Sequence, residues 1–309
     1  MIFPKSLKKG DTIGIIAPAS PYRPKCRDSL IFELDMIKQT IESFGYNVKF
    51  GETCYISYKG YLAGEDDIRV RDLENMFIDE NIDAVLCLRG GYGTPRILNK
   101  INYNTIKNNP KLFIGYSDIT ALHIAFNQKC NLVTYHGAMA SKSPIWDEFT
   151  YESFLNILNM KNELIINNPE NENIYTFKKG RAIGKIVGGN LSLIVSTIGT
   201  GYEINTKGKI LFIEEIGESI YKIDRMMTQL ELAGKLEDCE GIILGDFENC
   251  KKDREDDYEL EELLYDIVSK YDKPCIYNLQ SGHCEPMISI PLGMECYLDA
   301  TNKVIKFIK

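Results

Sequence analysis

Lys111-Leu112-Phe113-Ile114-Gly115-Tyr116-Ser117-Asp118-Ile119-Thr120-Ala121-Leu122 changes its hydrophobic period in the middle. The run up to Gly115 has the continuous apolar character of a buried strand, whereas Ile119, Leu122 and Phe126 recur at helical spacing. Strand, tight turn, serine and helix in that order are the parts of a nucleophile elbow, in which the turn lifts a serine hydroxyl out of the sheet. The helix N-terminus behind it favours developing negative charge. Serine is equally a preferred helix N-cap, so this stretch by itself leaves a capping Ser117 and a nucleophilic Ser117 both open.

Outward from that stretch, strands and helices alternate. Thr12-Ile-Gly-Ile-Ile16, closed by Pro18, reads as a buried strand, as does Ile82–Leu88, and Asn47–Phe50 reads as a short strand. Helical spacing covers residues 29–45 and Asp66–Asp79, and a further helix is expected from Arg96 to Ile101. Leu132–His136 reads as the last strand of this half. Alternation of this kind predicts a parallel sheet with helical crossovers, an α/β fold. Residues 141–179 change character, with Ser141-Lys-Ser-Pro144, the single tryptophan Trp146, a helical piece near Phe154–Leu158 and an Asn- and Glu-rich tract. They read as a linker carrying an exposed loop. From Gly180 onward short strands dominate (Arg181–Val187, Lys209–Glu214, Gly241–Gly245, Ile276–Asn278, Met294–Asp299, Lys303–Ile308), interrupted by a helix at Ile223–Gly234. The expected organisation is residues 1–142, a linker over 143–179, and a β-rich domain over 180–309. Lys251–Tyr258 is a solvated charge run.

Composition narrows the class. The 309 residues are 44% apolar and 26% charged, an ordinary globular balance. A formal net charge of −8 argues against a nucleic-acid partner that would need a basic face. No apolar run approaches the roughly 20 residues of a membrane helix, and the N-terminus lacks the apolar core of a signal peptide. A cytoplasmic protein without membrane association is therefore expected. The nine cysteines are scattered and form no C-x-x-C pair, so they read as reduced and mostly buried. With three histidines and no H-E-x-x-H, neither a metal site nor another cofactor is expected.

Four groups could carry chemistry. Arg89-Gly90-Gly91-Tyr92-Gly93 follows a strand, at the sheet end where parallel sheets bind ligands. It is neither a P-loop nor G-x-G-x-x-G, and it could be a tight turn and no more. Leu211-Phe-Ile-Glu214-Glu215 ends a buried strand in two carboxylates, one of which could orient a histidine. Ser281-Gly-His283-Cys-Glu-Pro286 sets a histidine in a Gly/Pro loop. His123, on the helix leading away from Ser117, reads as core, and His136 is a weaker rival base. Serine, acid and base in that chain order are one permitted order for a triad. A triad needs the base within about 3 Å of the nucleophile, which sequence separation does not address.

The ordered set Gly14-Ile-Ile-Ala-Pro-Ala-Ser20, Arg89–Gly93, Gly115-Tyr-Ser-Asp-Ile-Thr120, Tyr135-His-Gly137, Gly188-Gly-Asn-Leu-Ser192, Phe212-Ile-Glu-Glu215, Asp224-Arg225, Gly282-His283 and Pro291-Leu-Gly293 resembles the LD-carboxypeptidase family of serine peptidases, which includes the microcin C immunity proteins. The resemblance spans nearly the whole chain. It implies an N-terminal Rossmann-like domain, a C-terminal β-rich, barrel-like domain, a homodimer and a metal-free triad. By motif, Ser117 is the nucleophile, His283 the general base and Glu214 the acid that orients it. Glu215 is the lesser candidate, because many relatives carry Glu-Asp there. The oxyanion hole would be the backbone N–H of Asp118 with a glycine of the Gly90-Gly91 turn. Arg89 and Tyr92 would bind substrate, and Arg89 could equally pin the turn. The implied reaction is release of terminal D-Ala from a muropeptide tetrapeptide during peptidoglycan recycling. Two other readings stay open: an immunity-type hydrolase of peptidyl-aminoacyl nucleotides, for which Trp146 could stack on a base, and a small-ligand-binding protein with an incidental Ser117.

Overall fold

The computed structural model describes residues 1–160 and 162–309, and the chain divides into two compact units, Met1–Lys161 and Asn162–Lys309. The first unit is built on five parallel strands: β1 (Thr12–Ile16), β2 (Asn47–Phe50), β3 (Ala84–Cys87), β4 (Leu112–Gly115) and β5 (Thr134–His136). Pairing places them in the order β2-β1-β3-β4-β5. All four residues of β3 and all four of β4 are buried. That is why both read as unbroken apolar runs: a parallel strand in a doubly wound sheet is covered on both faces.

The helices of this unit follow from their apolar spacing. In α1 (Leu30–Ser43) the buried residues are Leu34, Ile37 and Ile41, a single stripe at helical period. α2 (Asp66–Ile78) buries Val70, Leu73, Met76 and Phe77. Phe77, Phe113 and Phe126 meet edge-on or tilted at 5.0–6.1 Å between centroids, joining helix to strand in one aromatic core. The helix expected at Arg96–Ile101 is a three-residue 3₁₀ turn, Thr94–Arg96, and the helix proper, α3 (Tyr103–Asn108), starts later. Asn102 sets that start, because its side chain accepts from the Asn104 N–H and so caps α3. After β4 come a 3₁₀ turn (Ser117–Ile119), α4 (Thr120–Ala125) and a π-helical turn (Phe126–Cys130).

The segment 143–179, read as linker and loop, carries α5 (Glu148–Leu158) within the first unit and β6 (Glu163–Ile166) and β7 (Tyr175–Lys178) within the second. α5 buries Phe154, Ile157 and Leu158. Trp146 lies 4.8 Å from Phe154 and 6.1 Å from Phe44, ring centroid to ring centroid, so the tryptophan helps to pack α5 and the end of α1.

The second unit holds β8 (Arg181–Asn190), α6 (Leu191–Ser196), β9 (Lys209–Ile216), α7 (Ile220–Leu232), α8 (Lys235–Asp238), β10 (Gly241–Glu248), α9 (Leu260–Val268), β11 (Cys275–Tyr277), β12 (Ile290–Leu292), β13 (Glu295–Asp299) and β14 (Val304–Ile308). Its eight-stranded sheet runs β6-β14-β13-β8-β9-β10-β11-β7. The centre, β8 to β11, is parallel, and the flanking pairs are antiparallel. α9 follows directly on the expected charge run and buries Leu263, Leu264, Ile267 and Val268. Among the described residues no helix is long and apolar enough to cross a membrane.

Candidate active site

In the first unit the strand order reverses between β1 and β3, which makes the C-terminal ends of those strands the topological switch point of the sheet. β1 runs out into Ala17-Pro-Ala-Ser20, β3 into Arg89-Gly90-Gly91, and the neighbouring β4 into Tyr116-Ser117. The backbone of Ser117 has φ +65. A non-glycine residue held in that left-handed region costs about 1–3 kcal/mol and persists only where its surroundings enforce it. Ser117 makes no cap: the 3₁₀ turn is preceded by Tyr116 and α4 by Ile119, and neither start has a side-chain cap hydrogen bond. The backbone at Ser117 thus has the strained geometry of an elbow and no capping hydrogen bond.

The turn after β3 is fitted to that serine. A Cβ added to Gly90 would lie 2.9 Å from Ser117 Cβ and 3.2 Å from its Oγ, so only glycine lets the two loops approach. Ser20 braces the same turn, with its Oγ accepting from Tyr92 N–H at 3.0 Å and donating to Tyr61 O at 2.8 Å. Asp118 is buried, and its Oδ2 accepts from Thr94 N–H at 2.8 Å while its carbonyl accepts from Thr94 Oγ1 at 2.5 Å. Burial raises the Asp118 carboxyl above its ordinary value, opposed by these Thr94 bonds. Its carboxylate is thereby occupied in holding the Gly93-Thr94 turn, while its N–H lies in a first helical turn, where no intrahelical acceptor exists.

Beneath this turn is Arg69, which no sequence motif singles out. It is fully buried, donating to Pro18 O at 2.6 Å and Gly93 O at 2.9 Å and pairing with Asp66 at 2.6 Å. Arg89 is half-buried; its Nη1 donates to Pro21 O at 3.3 Å, and no carboxylate among the described residues pairs with it. Tyr92 is 51% exposed, with its ring edge-on to Tyr61. His123 is core, as its helix position suggested: fully buried, its Nε2 2.8 Å from Gly115 O, and driven by burial down to about 4. His136 ends β5, buried, its ring 5.8 Å from that of Tyr116.

In the second unit His283 Nδ1 lies 2.8 Å from Glu214 Oε2. A carboxylate there fixes the tautomer, with Nδ1–H donating and Nε2 left as the acceptor that a base requires. Glu214 is fully buried; burial raises its carboxyl, the His283 partner lowers it, and Glu215 raises it again. Gly282, with φ +147, must be glycine, since a Cβ would lie 3.0 Å from Glu214 Oε2. Glu215 is committed elsewhere. Its Oε1 accepts from Asn190 Nδ2 and Ile216 N–H, each at 2.9 Å, and its Oε2 from Ser192 N–H at 2.8 Å and Ser192 Oγ at 2.7 Å. That set leaves Glu214, not Glu215, on the histidine.

Residues 13–137 match the LD-carboxypeptidase N-terminal domain, and residues 183–298 match the LD-carboxypeptidase C-terminal domain. The chain belongs to the LD-carboxypeptidase family. It is an enzyme of the serine-type LD-carboxypeptidase kind, and the resemblance read from its ordered motifs is borne out. A "Probable murein peptide carboxypeptidase" of Bacillus subtilis is 43% identical over 97% of this chain and 92% of its own length. The solved muramoyltetrapeptide carboxypeptidase of Oxalobacter formigenes superposes with a TM-score of 0.81 at 25% identity, covering 96% of this chain and 97% of that one. The Escherichia coli microcin C7 self-immunity protein MccF is 27% identical over 97% of this chain and 93% of its own length. Among the described residues of this family member, no group of three or more His, Cys, Asp or Glu side chains is placed to hold a metal ion.

Proposed function

We propose that this enzyme releases the terminal D-alanine from muropeptide tetrapeptides, cutting the L,D-peptide bond through an acyl-enzyme on Ser117. The observation that carries the reading is the left-handed Ser117 backbone at the end of β4, packed against Gly90. The names of the Bacillus and Oxalobacter relatives support the substrate class. In the proposed reaction His283 Nε2 takes the Ser117 proton as Oγ attacks the peptide carbonyl. The carbonyl electrons move to oxygen, facing the backbone N–H groups of Asp118 and of Gly90 or Gly91. Each such donor is worth about 3 kcal/mol in the transition state. Collapse breaks the C–N bond, and His283 returns the proton to the departing amine. Water then repeats the sequence on the ester. Glu214 holds the imidazole orientation and stabilises its charged form.

The leaving residue ends in a carboxylate, for which Arg89, unpaired with any acidic side chain among the described residues, is the fitting cation, with the exposed Tyr92 ring beside the turn. A role in peptidoglycan recycling in the cytoplasm, as a homodimer and without metal or cofactor, completes the reading. Hydrolysis of peptidyl-aminoacyl nucleotides is the competing one. The contacts of Trp146 with Phe44 and Phe154 give that residue a packing role, which favours the peptidase reading. The test is D-alanine release from a muramyl tetrapeptide by wild type and by Ser117→Ala. Turnover by wild type and a loss of at least about 10³-fold in the folded variant are expected. Retained activity in Ser117→Ala overturns the nucleophile, and turnover of only a nucleotide-linked peptide overturns the substrate.

A further inference from the structure

Asp246 belongs to none of the motifs that carry the family resemblance. β10 pairs with β9 up to Leu244↔Ile213 and resumes at Phe247↔Glu215, so Gly245 and Asp246 together oppose Glu214 alone. A two-against-one bulge of this kind re-aims a side chain, and such bulges concentrate beside active sites. The same stretch holds the His283 loop: Leu244 O accepts from Leu279 N–H at 3.2 Å, and Asp246 N–H donates to Ser281 O at 3.1 Å. A Cβ placed on Gly282 would lie 3.1 Å from Glu214 Cβ and 3.3 Å from Asp246 Cβ, which puts Asp246 next to the Glu214–His283 pair.

Among the described residues no lysine or arginine pairs with its carboxylate. Oδ2 is buried without a hydrogen-bond partner among the described residues, while the side chain as a whole keeps some exposure. Burial, then the charges of Glu248 and Glu214, push its carboxyl up to about 6, against the pull of His283. Its charge in turn helps to raise the Tyr277 phenol and the Cys250 and Cys284 thiols, which burial already pushes up. Asp246 is held beside two further carboxyl groups, and an unmatched carboxylate oxygen of this kind is relieved by a cation that arrives with the ligand.

We propose that Asp246 reads the charge of the side chain at the third residue of the peptide, pairing with its ammonium group, so that tetrapeptides bearing lysine or diaminopimelate there are preferred over neutral ones. This inference rests on the activity proposed above. Full-length enzyme is assayed for D-alanine release from two tetrapeptides that differ only in carrying lysine or Nε-acetyl-lysine at the third position. Wild type is expected to favour the lysine peptide by about tenfold in kcat/KM, the ratio that 1.4 kcal/mol gives, with most of the difference in KM. Asp246→Asn narrows the preference to about twofold or less, and Asp246→Lys turns it toward a peptide with glutamate at that position. Equal rates on both peptides by wild type overturn the charge reading alone. Equal slowing of both peptides by Asp246→Asn, with a moved pH profile, also overturns it and makes Asp246 a positioning residue for His283. No release from either peptide by wild type overturns the activity, and this inference with it.

Discussion

Three side chains and a missing one decide what the residue scale predicts. Gly90 has no Cβ, and the one it lacks would meet Ser117 at 2.9 Å. Gly90→Ala must therefore move either the turn or the strained elbow. Because a misplacement of about 1 Å can cost about 10²-fold, a fall of that size in kcat is expected with little change in Tm, measured on the tetrapeptide. The adjacent glutamates behave oppositely. Glu214→Gln keeps the shape but offers His283 an amide in place of a carboxylate, so kcat falls by about 10³–10⁴-fold through loss of the oriented, charge-stabilised imidazole. Glu215→Gln leaves turnover near wild type and lowers stability by about 1–2 kcal/mol, because three of its four accepted hydrogen bonds tie the start of α6 to β9. Urea melts and kcat on the two variants separate these roles, and a reversed pattern would move the histidine's partner to Glu215. Sequence order alone named both glutamates, since adjacency on a strand says nothing about which one the neighbouring helix consumes.

At the scale of elements, the segment after β4 carries a pH liability. His123 on α4 is neutral and buried, its proton affinity lowered to about 4 from the ordinary 6.5. Above pH 6.5 folded and unfolded chains bind the same number of protons there. Between about 6.5 and 4 only the unfolded chain gains one, so stability falls as pH falls, by up to about 3 kcal/mol across that window. Urea unfolding at pH 7.5 and pH 4.5 is expected to show a smaller acid loss for His123→Gln than for wild type, whatever the variant's absolute stability; an unchanged acid loss would place the titration elsewhere. The strands were legible because double burial writes them as apolar runs, as in Leu112–Gly115 and Ala84–Cys87. α9 was not, because its apolar stripe starts where the Lys251–Tyr258 charge run stops. The sign of φ at Ser117 was invisible for a different reason: an elbow and a cap use the same residue types, and only the fold enforces the strained one. Asp246 was hidden because its position depends on a bulge, a property of two strands and not of one.

The whole molecule divides its chemistry as it divides its fold. The proposed nucleophile and oxyanion donors belong to Met1–Lys161, and the proposed acid and base to Asn162–Lys309. Neither set performs acyl transfer unaided, because a serine hydroxyl at its free pKa is a weak nucleophile and a His–Glu pair has nothing to activate. This predicts a dependence that no local role for His283 would produce. A fluorophosphonate probe is expected to label Ser117 in wild type, to leave Ser117→Ala unlabelled, and to label His283→Ala at least about 10³-fold more slowly, although that substitution lies in the other unit. Because all the proposed reacting groups are ordinary side chains and backbone N–H groups, labelling and D-alanine release should both survive prolonged dialysis against a chelator. Undiminished labelling of His283→Ala would break the triad, and loss of both readouts on chelation with recovery on adding one divalent metal would replace it with a metal-assisted mechanism.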